Sequence, residues 1–162
     1  QLMKRGVRLG ADIPYCILKG TALSEGIGEK ISTIPKMPDC YVLICKPGIH
    51  VSTGFVYTNL VLDENTPHPD IDYMITCMKK KDLKTLCQNL GNVLETVTIP
   101  AHPEIAKIKE TMMQEGALGS LMSGSGPTVF GIFGDLDKAK AAKAVCRKLP
   151  FKCFAFVTDL YR

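Results

Sequence analysis

Two stretches of this sequence combine residue types that could do chemistry. Leu121 to Phe133 places Ser123-Gly124-Ser125-Gly126-Pro127 between the apolar pairs Leu121-Met122 and Val129-Phe130. Small residues there let the chain turn sharply and leave backbone N–H groups open to an oxygen-rich ligand, a phosphate or a sugar. A plain glycine-rich strand connection gives the same pattern, and short glycine motifs often mean no more than that. The second stretch is Leu9 to Cys16, where Asp12 stands two residues before Pro14. Proline biases Ile13 toward an extended backbone, so Asp12 is expected at a change of direction, either pointing into a cleft or serving as a turn or capping carboxylate.

Other chemistries are excluded by residue types and spacing. There is no Gly-Lys pair for a Walker A loop, no Gly-x-Gly-x-x-Gly turn, and Ser123 and Ser125 lack the Gly-x-Ser-x-Gly frame of a hydrolase elbow. Seven cysteines form no Cys-x-x-Cys pair, and His50, His68 and His102 do not supply the missing spacing, so the thiols are expected to be reduced and in the core, with no metal ligands. Twenty basic against sixteen acidic residues give a net charge of +4, far from a nucleic-acid signature. The aromatic residues are interleaved with apolar ones, and Lys79-Lys80-Lys81 reads as a solvated helix end. No apolar run approaches the roughly 18 residues that cross a bilayer, and the first residues lack the apolar centre of a signal peptide, so a cytoplasmic location with no membrane partner is expected. The chain opens on what reads as the end of a helix, Gln1 to Arg5, as expected of a piece of something longer.

A chain of 162 residues, 46% hydrophobic, can bury one substantial core. Ile17 to Glu25 and Lys30 to Ile34 read as a hairpin around Gly26-Ile27-Gly28, and Tyr41 to Lys46 is the clearest strand. Ser52 or Thr53 can cap a short helix to about Leu60, with Phe55, Val56 and Tyr57 available to a pocket or the core. Asp63 to Pro69 is a loop. Asp70 can cap Ile71 to Met78, and Asp82 can cap a helix burying Leu83, Leu86, Cys87, Leu90 and Leu94 on one face. Pro103 to Glu115 is a further helix with Gly116 at its exit, two strands flank the glycine turn, Asp135 can cap Leu136 to Lys148, and Phe154 to Asp159 is the last strand. From Tyr41 onward the order is that of a split βαβ unit with helices inserted after its first strand. The expected class is α+β, ferredoxin-like, with an N-terminal hairpin.

The runs Leu9 to Cys16, Gly20 to Gly28, Lys46-Pro47-Gly48, Val51-Ser52-Thr53, Val56-Tyr57 and Met122 to Pro127, in that order, resemble the 4-diphosphocytidyl-2-C-methyl-D-erythritol kinases of the GHMP superfamily. The resemblance implies a ferredoxin-like C-terminal domain and transfer of the ATP γ-phosphate, with magnesium, to the 2-hydroxyl of a cytidine-diphosphate-linked methylerythritol in the non-mevalonate isoprenoid pathway of bacteria. By motif match, Asp12 falls on the catalytic aspartate, Thr53 on a substrate contact, Tyr57 on the aromatic that stacks on cytosine, and Gly124, Ser125 and Gly126 on the glycine motif beside the phosphates. The family's catalytic lysine and its glycine-serine ATP loop do not occur in these residues, so the chain resembles a C-terminal half. Residues 1–34 then correspond to a remnant of the N-terminal kinase domain and residues 35–162 to the C-terminal domain. Such a half is expected to need its N-terminal half as partner, to be inactive alone, and to self-associate through the exposed hairpin face. A non-catalytic ferredoxin-like module that binds a ligand or partner through the same glycine lip is the alternative.

Overall fold

The computed structural model describes residues 2–64 and 66–160, beginning with two short helices, α1 (Leu2–Gly6) and α2 (Ile13–Leu18). A hairpin of β1 (Ala22–Glu25) and β2 (Lys30–Thr33) follows, and its turn falls on Gly26-Ile27-Gly28 as expected, with Ala22 opposite Thr33 and Glu25 opposite Lys30. Two expectations fail here. Ile13 opens a helix instead of an extended segment, because Pro14 occupies the first turn, where its missing N–H would be unpaired anyway and its fixed φ suits the helix. The strand expected from Ile17 starts only at Ala22, since the helix runs to Leu18 and the positive φ of Lys19 (62°) and Gly20 (76°) then redirects the chain.

The remaining elements are β3 (Tyr41–Pro47), α3 (Thr53–Asn59), α4 (Ile71–Lys80), α5 (Leu83–Gln88), α6 (Glu95–Ala101), α7 (Pro103–Gln114), β4 (Gly119–Met122), β5 (Val129–Phe133), α8 (Leu136–Cys146) and β6 (Cys153–Asp159). Ser52, Asp70, Asp82 and Asp135 each cap a helix, their side chains accepting the N–H of Phe55, Tyr73, Thr85 and Lys138. One helix is shorter than its periodicity suggests. The run from Leu83 to Leu94 breaks after Gln88, where the Asn89 amide turns back to donate to the Thr85 carbonyl, and α6 begins separately beyond Gly91. Leu86, Cys87 and Leu94 are still buried, while Leu83 and Leu90 pack from the rim.

The four-stranded sheet has the order β4-β5-β3-β6 with every neighbouring pair antiparallel, the arrangement of a split βαβ unit. Alternation along the central strand sorts its two faces. Leu43 and Cys45, fully buried, lie opposite Gly131 and Val129 on one side and Val157 and Ala155 on the other. Ile105, Ile108 and Met112 of α7 and Ala139, Ala142 and Cys146 of α8 cover that face and form the main core with it. Val42, Ile44, Phe130 and Ile132 point the opposite way. A smaller cluster of Cys40, Cys87 and Ile132 lies on that side. No helix among the described residues is long and apolar enough to cross a membrane.

Five of the seven cysteines are buried, as their apolar neighbours suggest, but Cys16 is exposed and Cys153 half-buried. Burial, with Cys40 beside it, pushes the Cys87 thiol up to about 12. Cys45 is likewise held protonated through hydrogen bonds with the Cys146 and Cys153 side chains.

Candidate active site

The glycine turn between β4 and β5 is shaped by its own backbone first. Ser123 N–H donates to the Thr128 carbonyl at 2.8 Å and Gly126 N–H to the Ser123 carbonyl at 3.0 Å, closing a tight loop. Gly124 and Gly126 have φ of +56° and +87°, values that side chains other than glycine rarely adopt. Around Gly124 there is open space, whereas a Cβ on Gly126 would meet Met122 Sδ at 2.8 Å. The N–H groups of Gly124 and Ser125 have no protein partner among the described residues. They are free to donate to an anion.

A polar cluster at the start of α6 holds this turn from beneath. Asn92 Nδ2 donates to the carbonyls of Met122 (2.9 Å) and Gly124 (2.8 Å). Glu95 accepts Met122 N–H at 2.8 Å through one oxygen and pairs with Lys109 Nζ at 2.5 Å through the other. Thr98, fully buried, directs its hydroxyl toward the carbonyls of Leu94 (3.1 Å) and Ser125 (3.3 Å). None of these four residues was found by reading motifs. One signal was present: Asn92-Val93-Leu94-Glu95 has an Asn followed three residues later by Glu, the pattern of a helix start.

From the other side, α3 approaches the turn. Thr53 Oγ1 and Ser125 Oγ lie 3.0 Å apart in a hydrogen bond between residues 72 positions apart in sequence. Tyr57 stands one helical turn beyond Thr53 on the same face, and at 61% exposure it is not a core residue; Val56 fills the core position instead. Its ring is available for stacking.

Asp12 is not joined to these groups by a hydrogen bond. It occupies the N-cap position of α2, exposed, and its side chain makes no capping bond, so the local role its position allows is not taken up. A cleft of about 940 Å³ connects its helix with the glycine turn: Tyr15 and Cys16 of α2 form one wall, Val42 and Phe130 of the sheet the floor, and Ser123 and Thr128 the rim. Asp12, at the N-terminal end of that helix, does not itself line the cleft, and neither do Thr53, Tyr57, Gly124, Ser125 and Gly126. Thr53, Ser125 and the two glycines form a connected group apart from Asp12. No cluster of three or more His, Cys, Asp or Glu side chains among the described residues could hold a metal ion.

Residues 74–151 match the family described as GHMP kinases C terminal. The chain contains a GHMP kinase C-terminal domain, and the matched residues include the glycine turn. Over 160 residues it is 52% identical to 4-diphosphocytidyl-2-C-methyl-D-erythritol kinase of Lachnoclostridium phytofermentans, covering 99% of this chain and 55% of that protein. Against the kinase of the same description from Acetivibrio thermocellus it is 45% identical, covering 98% of this chain and 56% of the relative. A solved 4-(cytidine 5'-diphospho)-2C-methyl-D-erythritol kinase superimposes with a TM-score of 0.80 at 25% identity over the whole chain and 58% of that structure. Homoserine kinase from Cytophaga hutchinsonii shares the fold, with a TM-score of 0.79 at 18% identity over 93% of this chain and 51% of that one. The chain is homologous to the C-terminal half of the 4-diphosphocytidyl-2-C-methyl-D-erythritol kinases, and spans about half the length of the curated relatives it matches.

Proposed function

We propose that this chain is the C-terminal half of an ATP-dependent kinase that phosphorylates the 2-hydroxyl of 4-diphosphocytidyl-2-C-methyl-D-erythritol in isoprenoid biosynthesis, working in the bacterial cytoplasm together with an N-terminal half. The observation that carries this reading is the Thr53–Ser125 hydrogen bond, which ties the helix assigned to substrate binding to the glycine turn assigned to the phosphates. Residues 1–34 belong, in this proposal, to the N-terminal kinase domain and residues 35–162 to the C-terminal domain.

Each residue has a task the chemistry requires. Asp12 accepts or orients the proton of the 2-hydroxyl as its oxygen bonds to the γ-phosphorus and the bond from phosphorus to the bridging oxygen of the departing ADP breaks. Thr53 holds the substrate against the turn, and the exposed Tyr57 ring stacks on the cytosine base. The N–H groups of Gly124 and Ser125 suit phosphoryl oxygens, whose charge they stabilise at little reorganisation cost. Gly126 shapes the turn. Magnesium, carried with ATP, would neutralise phosphate charge when bound.

The test uses the full-length protein in a coupled ADP-release assay. Asp12→Ala should abolish turnover while leaving substrate affinity largely intact, and equal loss of both would count against the assignment. Purified residues 1–162 should show negligible turnover, because positioning and charge stabilisation come from both halves. The isolated chain should also self-associate through the hairpin and the Pro14–Ile17 face, where Tyr15, Ile17 and the hairpin-turn residue Ile27 are exposed; a monomer in light scattering would contradict this.

A further inference from the structure

Asn92 makes hydrogen bonds of two kinds. Its Oδ1 accepts Leu94 N–H at 3.0 Å, a local Asx turn just before α6. Its Nδ2 reaches across the structure to the Met122 and Gly124 carbonyls at 2.9 and 2.8 Å. The Gly124 contact has a geometric effect on the next residue. A trans peptide is planar with C=O and N–H on opposite sides, so drawing the Gly124 carbonyl toward Asn92 aims the Ser125 N–H away from it. That N–H is unpaired among the described residues, while the neighbouring Ser123 and Gly126 N–H groups are consumed inside the turn.

Nothing else fixes this peptide as directly. Gly124 sits at φ +56° with no atom within 4 Å of where a Cβ would be, so packing does not prevent rotation of the Gly124–Ser125 unit. Thr98 constrains the following carbonyl, that of Ser125, Thr53 the Ser125 hydroxyl, and Glu95 the preceding Met122 N–H. The Gly124 carbonyl between them is held by Asn92.

We propose that Asn92 is a positioning residue of the kinase: its side-chain amide locks the Gly124–Ser125 peptide so that Ser125 N–H is presented to a phosphoryl oxygen. This rests on the kinase reading above. Asn92 touches no reacting atom. It acts through the turn, and its loss would let the peptide rotate and replace a donor with a carbonyl oxygen at a place where negative charge develops.

Two substitutions separate this role from the local turn. Asn92→Asp keeps an oxygen for Leu94 N–H, and so the Asx turn, but loses both donated bonds and sets a carboxylate against two carbonyl oxygens. Asn92→Ala loses turn and grip together. In the full-length kinase, Asn92→Asp should lower kcat by about 100-fold, as removal of an oxyanion donor does, with KM for the alcohol substrate changed by less than about threefold, both measured well below the melting temperature, which the two lost bonds and the new carboxylate lower. Asn92→Asp turnover within about twofold of the unsubstituted enzyme would overturn the proposal and leave Asn92 a residue of the local turn only. Hydrogen exchange gives an answer that does not need activity. The Ser123 and Gly126 amides should exchange at least about tenfold faster in Asn92→Asp while those of β3 are unchanged, and unaltered exchange in the turn would also overturn it. A full-length protein without kinase activity would instead refute the kinase reading, leaving the exchange result to decide the role of Asn92 in the turn.

Discussion

The two walls of the cleft are held in place by different means. The glycine turn is tied to α6 by Asn92, Glu95 and Thr98 and to α3 by Thr53, with Glu95 itself anchored to Lys109 of α7. The wall that carries Asp12 is α2 and its hairpin, where Pro14 is buried and side-chain bonds such as Tyr15 hydroxyl to the Gly20 carbonyl at 2.7 Å and Ile27 N–H to Glu29 at 2.7 Å stay within that segment. A two-stranded hairpin has little stability of its own in water. The C-terminal wall is thus positioned by its own core, and the Asp12 wall needs surface from elsewhere to be fixed to the same degree.

The largest test of that contrast is Glu95→Ala. It leaves Lys109 without its carboxylate and the buried Met122 N–H without its acceptor, and should cost about 3 kcal/mol in urea unfolding, a partly exposed pair being discounted from the full buried-pair value. Glu95→Gln, which keeps an acceptor, should cost about 1 kcal/mol. Equal losses in the two variants would mean that the charge pair alone matters.

A smaller effect separates the two glycines. Gly126→Ala meets both a positive φ and Met122 Sδ at 2.8 Å, whereas Gly124→Ala meets the φ penalty alone. The expected costs are about 2 and about 1 kcal/mol, read from denaturant midpoints. Reversal of this order would show that the turn gives way at Gly126 and is less firmly seated than its hydrogen bonds indicate.

The mildest probe is thiol chemistry. Cys16 on the α2 wall is exposed and should react first with a disulfide reagent at pH 8, while Cys87 beneath the sheet should react only on unfolding. The folded state raises Cys87 from its ordinary 9.0 to about 12, so the stability it contributes is complete below about pH 9 and is lost as pH climbs toward 12. A smaller alkaline drop in the urea midpoint of Cys87→Ala would confirm the assignment. Identical profiles for the two proteins would refute it.

Local signals were legible where one residue does one job. The aspartate and serine caps, the uninterrupted apolar strand at Tyr41 and the turn glycines all follow from backbone preferences that act within a few residues, and the four-stranded order follows from their sequence. Pro14 misled because a proline restrains the residue before it and also suits a first helical turn, and which effect wins depends on what the helix packs against. The periodic run through Leu94 overshot for a related reason: its apolar residues do face the core, but from two elements separated at Gly91. Within the site, the glycine turn was visible and its support was not. Asn92, Glu95 and Thr98 lie 27 to 32 residues from their partners in the turn and Lys109 lies 14 from Glu95, all polar residues of ordinary type, so only the folded chain shows that their partners are the turn and each other.

The Thr53–Ser125 bond also bears on the order of events in folding. Closing 72 residues of open chain to join two exposed hydroxyls costs more entropy than one hydrogen bond of about 1 kcal/mol returns. The bond can form only after β3 has paired with β5 and brought the ends together at no further cost. A nascent chain that has emerged as far as α7 already contains α3 and Asp12, but the junction of α3 with the glycine turn arises only late in synthesis, when the strand after that turn takes its place.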